Sequence, residues 1–233
     1  MRQQCRVIVR PHMIEQFIKL IPDSLNSRSG SVFYSGRDAF DGSKDLYILG
    51  VNPDGSPNGR EDESVKWHTE KVLSEPNNWS AYRDESWLGS LPGTRGMQPR
   101  VLHLFSKIDC SAGTVPASNI VFVRSSREVN LEGNMQEMAE LCWPFHDSVI
   151  NELSPKVILC FGQTAGNFSC RKLAAYQQID EFVEQNNRRW CSRTFANNRG
   201  LKVVVATHPS IANWVNPVTD PTVLVERALR REA

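Results

Sequence analysis

Leu46-Tyr47-Ile48-Leu49-Gly50-Val51-Asn52-Pro53 is the stretch whose reading decides the fold. An apolar run of this length shows no in-out alternation. It predicts a strand buried on both faces, as in a parallel sheet covered by helices. The Asn-Pro that stops it is a turn signal. Working outward, three further segments carry the same kind of run: Asn119-Ile120-Val121-Phe122-Val123-Arg124, Pro155-Lys156-Val157-Ile158-Leu159-Cys160-Phe161-Gly162, and Val203-Val204-Val205-Ala206-Thr207-His208-Pro209-Ser210.

Helical spacing fills the intervals. Met13, Ile14, Phe17, Ile18 and Ile21 predict an amphipathic helix over 11–21, and Met135, Met138, Leu141, Phe145, Val149 and Ile150 mark one face of a long helix over 134–153. Shorter helices are expected over 64–73, 96–108, from Gln163 onward, and over 221–231. Residues 26–43 read as a loop with a short strand at 31–34, and 181–198 is charged, rich in Asn and without an assignable period. The alternation predicts an α/β chain, a three-layer α/β/α sandwich around a mainly parallel four-stranded central sheet. With 233 residues and 40% hydrophobic content, one core and a single domain over 1–233 are expected. Segment 55–92 is long and polar, yet Trp67, Trp79 and Trp87 argue that it is ordered.

Lys plus Arg is 27 and Asp plus Glu 26, a net charge of +1. That excludes a bulk electrostatic DNA binder and leaves room for an enzyme gripping a few phosphates. Arg2, Arg6, Arg10 and Glu15 interrupt any secretory apolar core, and no apolar stretch reaches membrane-spanning length. The expectation is a soluble, cytoplasmic protein with no membrane association. The six cysteines form no Cys-x-x-Cys pair, and the five histidines show no ligand spacing, so neither a disulfide framework nor a metal is expected.

In open α/β sheets, ligands sit outside the carboxyl ends of the strands. Asn52, Gln163 and His208 each follow a strand's last apolar residue, so the fold should gather them at one edge. Asn119 opens its run, and its placement depends on where that strand begins.

In this order, the motifs resemble those of the uracil-DNA glycosylase superfamily. Gly50-Val51-Asn52-Pro53 is similar to the first motif in the Asn-bearing form of the mismatch-specific branch. Gly93-Thr94-Arg95-Gly96, Asn119 through Ser126, and Ser154 through Ala165 resemble segments of the thermophilic, cluster-containing branch. His208-Pro209-Ser210 matches the last motif. The resemblance spans roughly 46–210. It departs in two ways: the cluster cysteines are absent apart from Cys142, which cannot hold an iron–sulfur cluster alone, and segment 55–92 is much longer than usual.

The resemblance implies the superfamily fold, with 55–92 as a pocket-side insertion, and a monofunctional DNA glycosylase. Its substrate would be an altered pyrimidine (uracil or a 5-modified, bulky base), flipped out of DNA. No metal, cluster or other cofactor is implied, and a monomer is expected. Cleaving the N-glycosidic bond builds positive charge on the sugar and negative charge on the base. His208 would donate to the base anion, and Asn52 would position the attacking water. Asn119 would read the base edge and Trp87 would stack on it. Gln163, Thr164 and Ser210 would approach phosphate, with Ile211 or Trp214 as a wedge in the duplex. Each also has a plain structural reading: an Asn-Pro turn, a capped strand end, a strand-entry residue, core packing. No lysine lies in the motifs to form a Schiff base. A role in repair and a role in defence against phages with hypermodified DNA both fit. Rival readings are a catalytically silent DNA- or nucleotide-binding relative, favoured by the missing acid at position 52, and a nucleotide-using α/β enzyme with chance likeness.

Overall fold

The computed structural model describes residues 13–125 and 135–230. Pro11, His12, Ser126, Asn134 and Arg231, onto which some expected elements extend, lie outside the described residues, as does Cys5. Strands β1 (Leu46–Gly50), β2 (Ala117–Asn119), β3 (Val157–Phe161), β4 (Gln177–Val183), β5 (Cys191–Ala196) and β6 (Lys202–Ala206) form one sheet in the order β2-β1-β3-β6-β5-β4. The first four of that order are mutually parallel, and β5 and β4 add an antiparallel hairpin at one edge. The sheet is therefore mixed and has six strands, not the four expected.

Helices α1 (Ile14–Ile18), α2 (Val65–Ser74), α3 (Ala81–Asp84), α4 (Gln98–Lys107), α5 (Met135–Leu153), α6 (Gln163–Lys172) and α7 (Thr222–Leu229) cover both faces. Alternate residues of one strand feed two cores. Tyr47, Leu49, Ile158, Cys160, Val203 and Val205 join α1, α2, α5 and α6 on one side. Leu46, Ile48, Val157, Leu159, Phe161 and Val204 join α4 and α7 on the other. This explains why β1 and β3 are apolar at every position. Among the described residues no helix is long and apolar enough to cross a membrane.

Two corrections concern the site. The second strand covers Ala117–Asn119 rather than 119–124, so Asn119 closes a strand instead of opening one. Ile120 and Val121 still donate to the carbonyls of Gly50 and Val51, but the chain then leaves the ladder and pairs with residues 29–31. Its apolar side chains are core, which gives the run its strand-like look. The short strand expected at 31–34 does not form; isolated bridges flank it, Gly30 to Val123 within this pairing and Ser35 to Ser80 beyond it.

Candidate functional site at the carboxyl edge of the sheet

Because β1, β2, β3 and β6 run parallel, their carboxyl ends share one edge, and Asn52, Asn119, Gln163 and His208 all stand there. Gly50 pairs with Asn119 across the ladder, and a Cβ at Gly50 would lie 2.1 Å from Asn119 Oδ1. Only glycine lets the Asn119 amide cross there. Gly162, at φ +90°, turns β3 into α6 beside His208, whose Cβ and Cδ2 lie 3.7 Å from where a Gly162 side chain would begin.

The state of His208 follows from its hydrogen bonds. Ser210 N–H donates to Nδ1 at 3.0 Å, and the Ser210 hydroxyl lies 2.7 Å from the same nitrogen. A backbone N–H can only donate, so Nδ1 carries the lone pair and the proton of the neutral ring sits on Nε2. Burial drives the pKa down to about 4, with the Asp54 carboxylate opposing that shift. The ring is thus an uncharged Nε2–H donor at neutral pH. The influence of Asp54 also places the turn after Asn52 within electrostatic range of this imidazole.

Asn52 is fixed by its own amide. Nδ2 donates to the carbonyls of Pro53 and Ser125, both at 2.9 Å, leaving Oδ1 with no partner among the described residues. Ser125 N–H returns a bond to Pro53 O, and Arg124 clamps the turn from outside through Asp54 O at 2.7 Å and Glu63 at 2.9 Å. Asn119 is 7% exposed, and its Nδ2 is buried without a partner. Tyr34 lies beside that amide; burial raises the phenol's pKa, and the neighbouring Ser31 and Asn119 side chains oppose the rise.

The remaining expected residues divide. Ile211 is 57% exposed on the loop after Ser210, whereas Trp214 is fully buried and donates to Thr207 O. Arg188 brackets this loop: it donates to Ile211 O, pairs with buried Glu184 and lies 3.9 Å over the Trp190 ring. Gln163 and Thr164 open α6, with Gln163 exposed and Thr164 half-buried. Trp87 is half-buried, edge-on to Tyr82 at 6.1 Å, and donates to Glu85. Tyr82 in turn stacks on Tyr34 at 6.0 Å, linking Trp87 to the neighbourhood of Asn119 through two rings.

Sequence reasoning missed three side chains here: Tyr34, His68 and Glu85. His68 lies on the buried face of α2 with Val65, Thr69 and Val72, and its Nδ1 has no partner. Burial lowers its pKa to about 4, against the pull of Glu85. A histidine three residues after Val65 and four before Val72 on an otherwise apolar stripe is the signal that could have found it. Two open grooves of about 570 and 500 Å³ occur elsewhere, one along Lys71, Arg83 and Glu85, the other around His103 and Asp220. Neither is lined by Asn52, Asn119 or His208. Among the described residues no group of three or more His, Cys, Asp or Glu side chains could hold a metal ion.

No protein-family model matches the chain, and no curated protein matches it. The residues and their geometry therefore carry the functional reading.

Proposed function

We propose that this chain is a monofunctional DNA glycosylase of the uracil-DNA glycosylase superfamily, hydrolysing the N-glycosidic bond of an altered pyrimidine. The observation that carries the reading is the neutral His208 ring with its proton on Nε2, at the same sheet edge as an oriented Asn52 amide oxygen and the buried Asn119 amide. In this reading DNA presents an extruded base, and the chain acts as a monomer without a metal or other cofactor. Asn119 meets the base edge, which offers a matching acceptor or donor. As the glycosidic bond breaks, negative charge spreads onto the pyrimidine carbonyl, and His208 Nε2–H donates to it. A preorganised donor of this kind contributes about 3–4 kcal/mol. Asn52 Oδ1 accepts from the water that attacks the anomeric carbon. An amide polarises water less than a carboxylate, so turnover is slow. Gln163 and Thr164 at the start of α6, with Ser210, face the backbone phosphates, and Ile211 fills the gap left by the flipped base. Trp87 supports the stacking side of the pocket through Tyr82. Both repair and antiviral settings are compatible with this chemistry.

The test is mass spectrometry of bases released from DNAs carrying uracil and 5-modified pyrimidines, with alkali-labile sites left behind. His208→Ala should reduce release by roughly 100- to 1,000-fold. Full activity in that variant would overturn the reading. Asn at position 52 favours a second reading, a relative that binds DNA without chemistry. Tight binding to abasic DNA with no base released from any substrate would select it.

A further inference from the structure

The β4–β5 hairpin lies outside the four parallel strands, and its turn stands beside the proposed site. β5 runs antiparallel to β6, so the turn between Val183 and Cys191 falls at the carboxyl edge. The β5–β6 turn, which carries Arg199, falls at the opposite edge. Two contacts fasten the hairpin to the segment that bears His208. Ser192 Oγ accepts from Thr207 N–H at 2.9 Å, and Arg188 donates to Ile211 O at 3.1 Å.

The turn itself is held from within. Glu184 N–H closes it on Trp190 O at 2.8 Å. Asn186 Oδ1 accepts from the N–H groups of Arg188 and Arg189, at 2.9 and 3.1 Å. These bonds keep Arg189 at φ +49°, a conformation costly for a residue with a side chain. The buried Glu184 carboxylate holds the Arg188 guanidinium at 3.0 Å, and that guanidinium lies 3.9 Å over the Trp190 ring. Trp190 is nonetheless 37% exposed, a large ring kept at the surface. The Arg188 charge is spent on Glu184. That of Arg189 is not: among the described residues its guanidinium makes no hydrogen bond or ion pair.

We infer that this turn is a DNA-binding site separate from the base pocket, where an unpaired base stacks on the Trp190–Arg188 pair and Arg189 takes the adjoining phosphate. The inference takes its ligand from the glycosylase reading. An aromatic ring accepts any base through its π face, and an arginine packed on the ring adds to the platform. The free guanidinium beside it suits a phosphate oxygen. Fastening to the Ile211 loop sets the platform next to where that reading puts the opened duplex.

The experiment measures affinity by fluorescence anisotropy for a single strand of about 16 nucleotides, the upper end of what a small domain covers. The strand carries one 2′-fluoro-deoxyuridine, which resists cleavage, and the titration is repeated across a salt series. Trp190→Ala should weaken binding by about tenfold or more, while Trp190→Phe, which keeps an aromatic face, should retain most of it. Arg189→Gln should make the slope of log affinity against log salt shallower by about 0.7, the share of one phosphate contact. Arg199→Gln, which removes the same charge at the opposite edge, should leave affinity and slope unchanged. Undiminished binding in Trp190→Ala would overturn the inference, as would an unchanged slope in Arg189→Gln, an equal loss in Arg199→Gln, or no binding by the intact protein. Base release is scored separately on strands that can be cleaved. If binding depends on the turn but no base is released, the glycosylase reading fails and the site stands. If base is released and binding ignores the turn, the glycosylase reading stands and the site fails.

Discussion

Asn52 is tied into its turn by the very atoms that distinguish it from aspartate. Its Nδ2 donates to two carbonyls, those of Pro53 and Ser125. A carboxylate at this position would set an oxygen against two acceptors, so the residue is not simply a weakened acid. Asn52→Asp is therefore expected to lower stability by about 1–3 kcal/mol, the cost of leaving partly buried groups unpaired. Base release should fall as well, although a carboxylate is the stronger base in principle. Chemical denaturation and single-turnover release would check this. A stable Asn52→Asp variant that turns over tenfold faster would show that the turn relaxes around the charge.

Elements differ in how openly the sequence announces them. β1, β3 and β6 are legible because burial on both faces makes nearly every position apolar, and α2 because Ser64 caps it by accepting from Trp67 N–H. The β4–β5 hairpin is not legible. Gln177–Val183 is a mostly exposed edge strand with Asp180 and Glu181 in it, and such composition reads as loop. β2 starts two residues before the apolar run that suggests it, because its ladder positions, Ala117-Ser118-Asn119, are small or polar while the apolar residues after them are core. Residues on motif turns announce themselves in the sequence, whereas Tyr34, in a loop with no motif, does not, and His68 shows only as a histidine set among apolar positions of a helix. Periodicity classes a buried histidine with its apolar neighbours. The β1–β2 contact supplies a prediction at this scale. Gly50→Ala forces a methyl to within 2.1 Å of Asn119 Oδ1 unless one strand shifts. The variant should fold with a lower unfolding midpoint and lose most of its base recognition. Unchanged affinity for a 2′-fluoro substrate would show that the Asn119 amide tolerates displacement.

At the scale of the whole molecule, three histidines among the described residues are held neutral by burial: His68 and His208, each with a pKa lowered to about 4, and His146, lowered to about 3. Well above about pH 6.5 folded and unfolded chains are both neutral at these sites, and no pH dependence arises from them. As pH falls below that value, the unfolded chain takes up protons that the folded chain refuses. Stability should then decline steadily from about pH 6.5 towards pH 4 to 3, and the decline from these groups ends once the folded rings also protonate. Urea midpoints at pH 7.5, 5.5 and 4.5 should fall in that order. A flat profile across this window would mean that the rings are solvated in the native state. His208 adds a functional counterpart: its donor tautomer persists well below neutrality, so base release should not decline with loss of its neutral form until pH approaches 4.

The distribution of sulfur gives the protein an internal clock for its own opening. Cys142 on α5, Cys160 on β3 and Cys170 on α6 are buried thiols, and burial lifts their pKa values to about 12, 12 and 11. Cys110 and Cys191 are only partly covered. In a native pulse of iodoacetamide, Cys110 and Cys191 should be alkylated first. The buried three should react only as fast as the layers around β3 part, because the thiolate is the reactive form. Peptide mapping of the label over time then reports whether α5 and α6 lift separately or the sheet opens as one unit. Tight engagement of a substrate analogue should slow all three, and early labelling of Cys160 ahead of Cys170 would contradict the burial on which this clock depends.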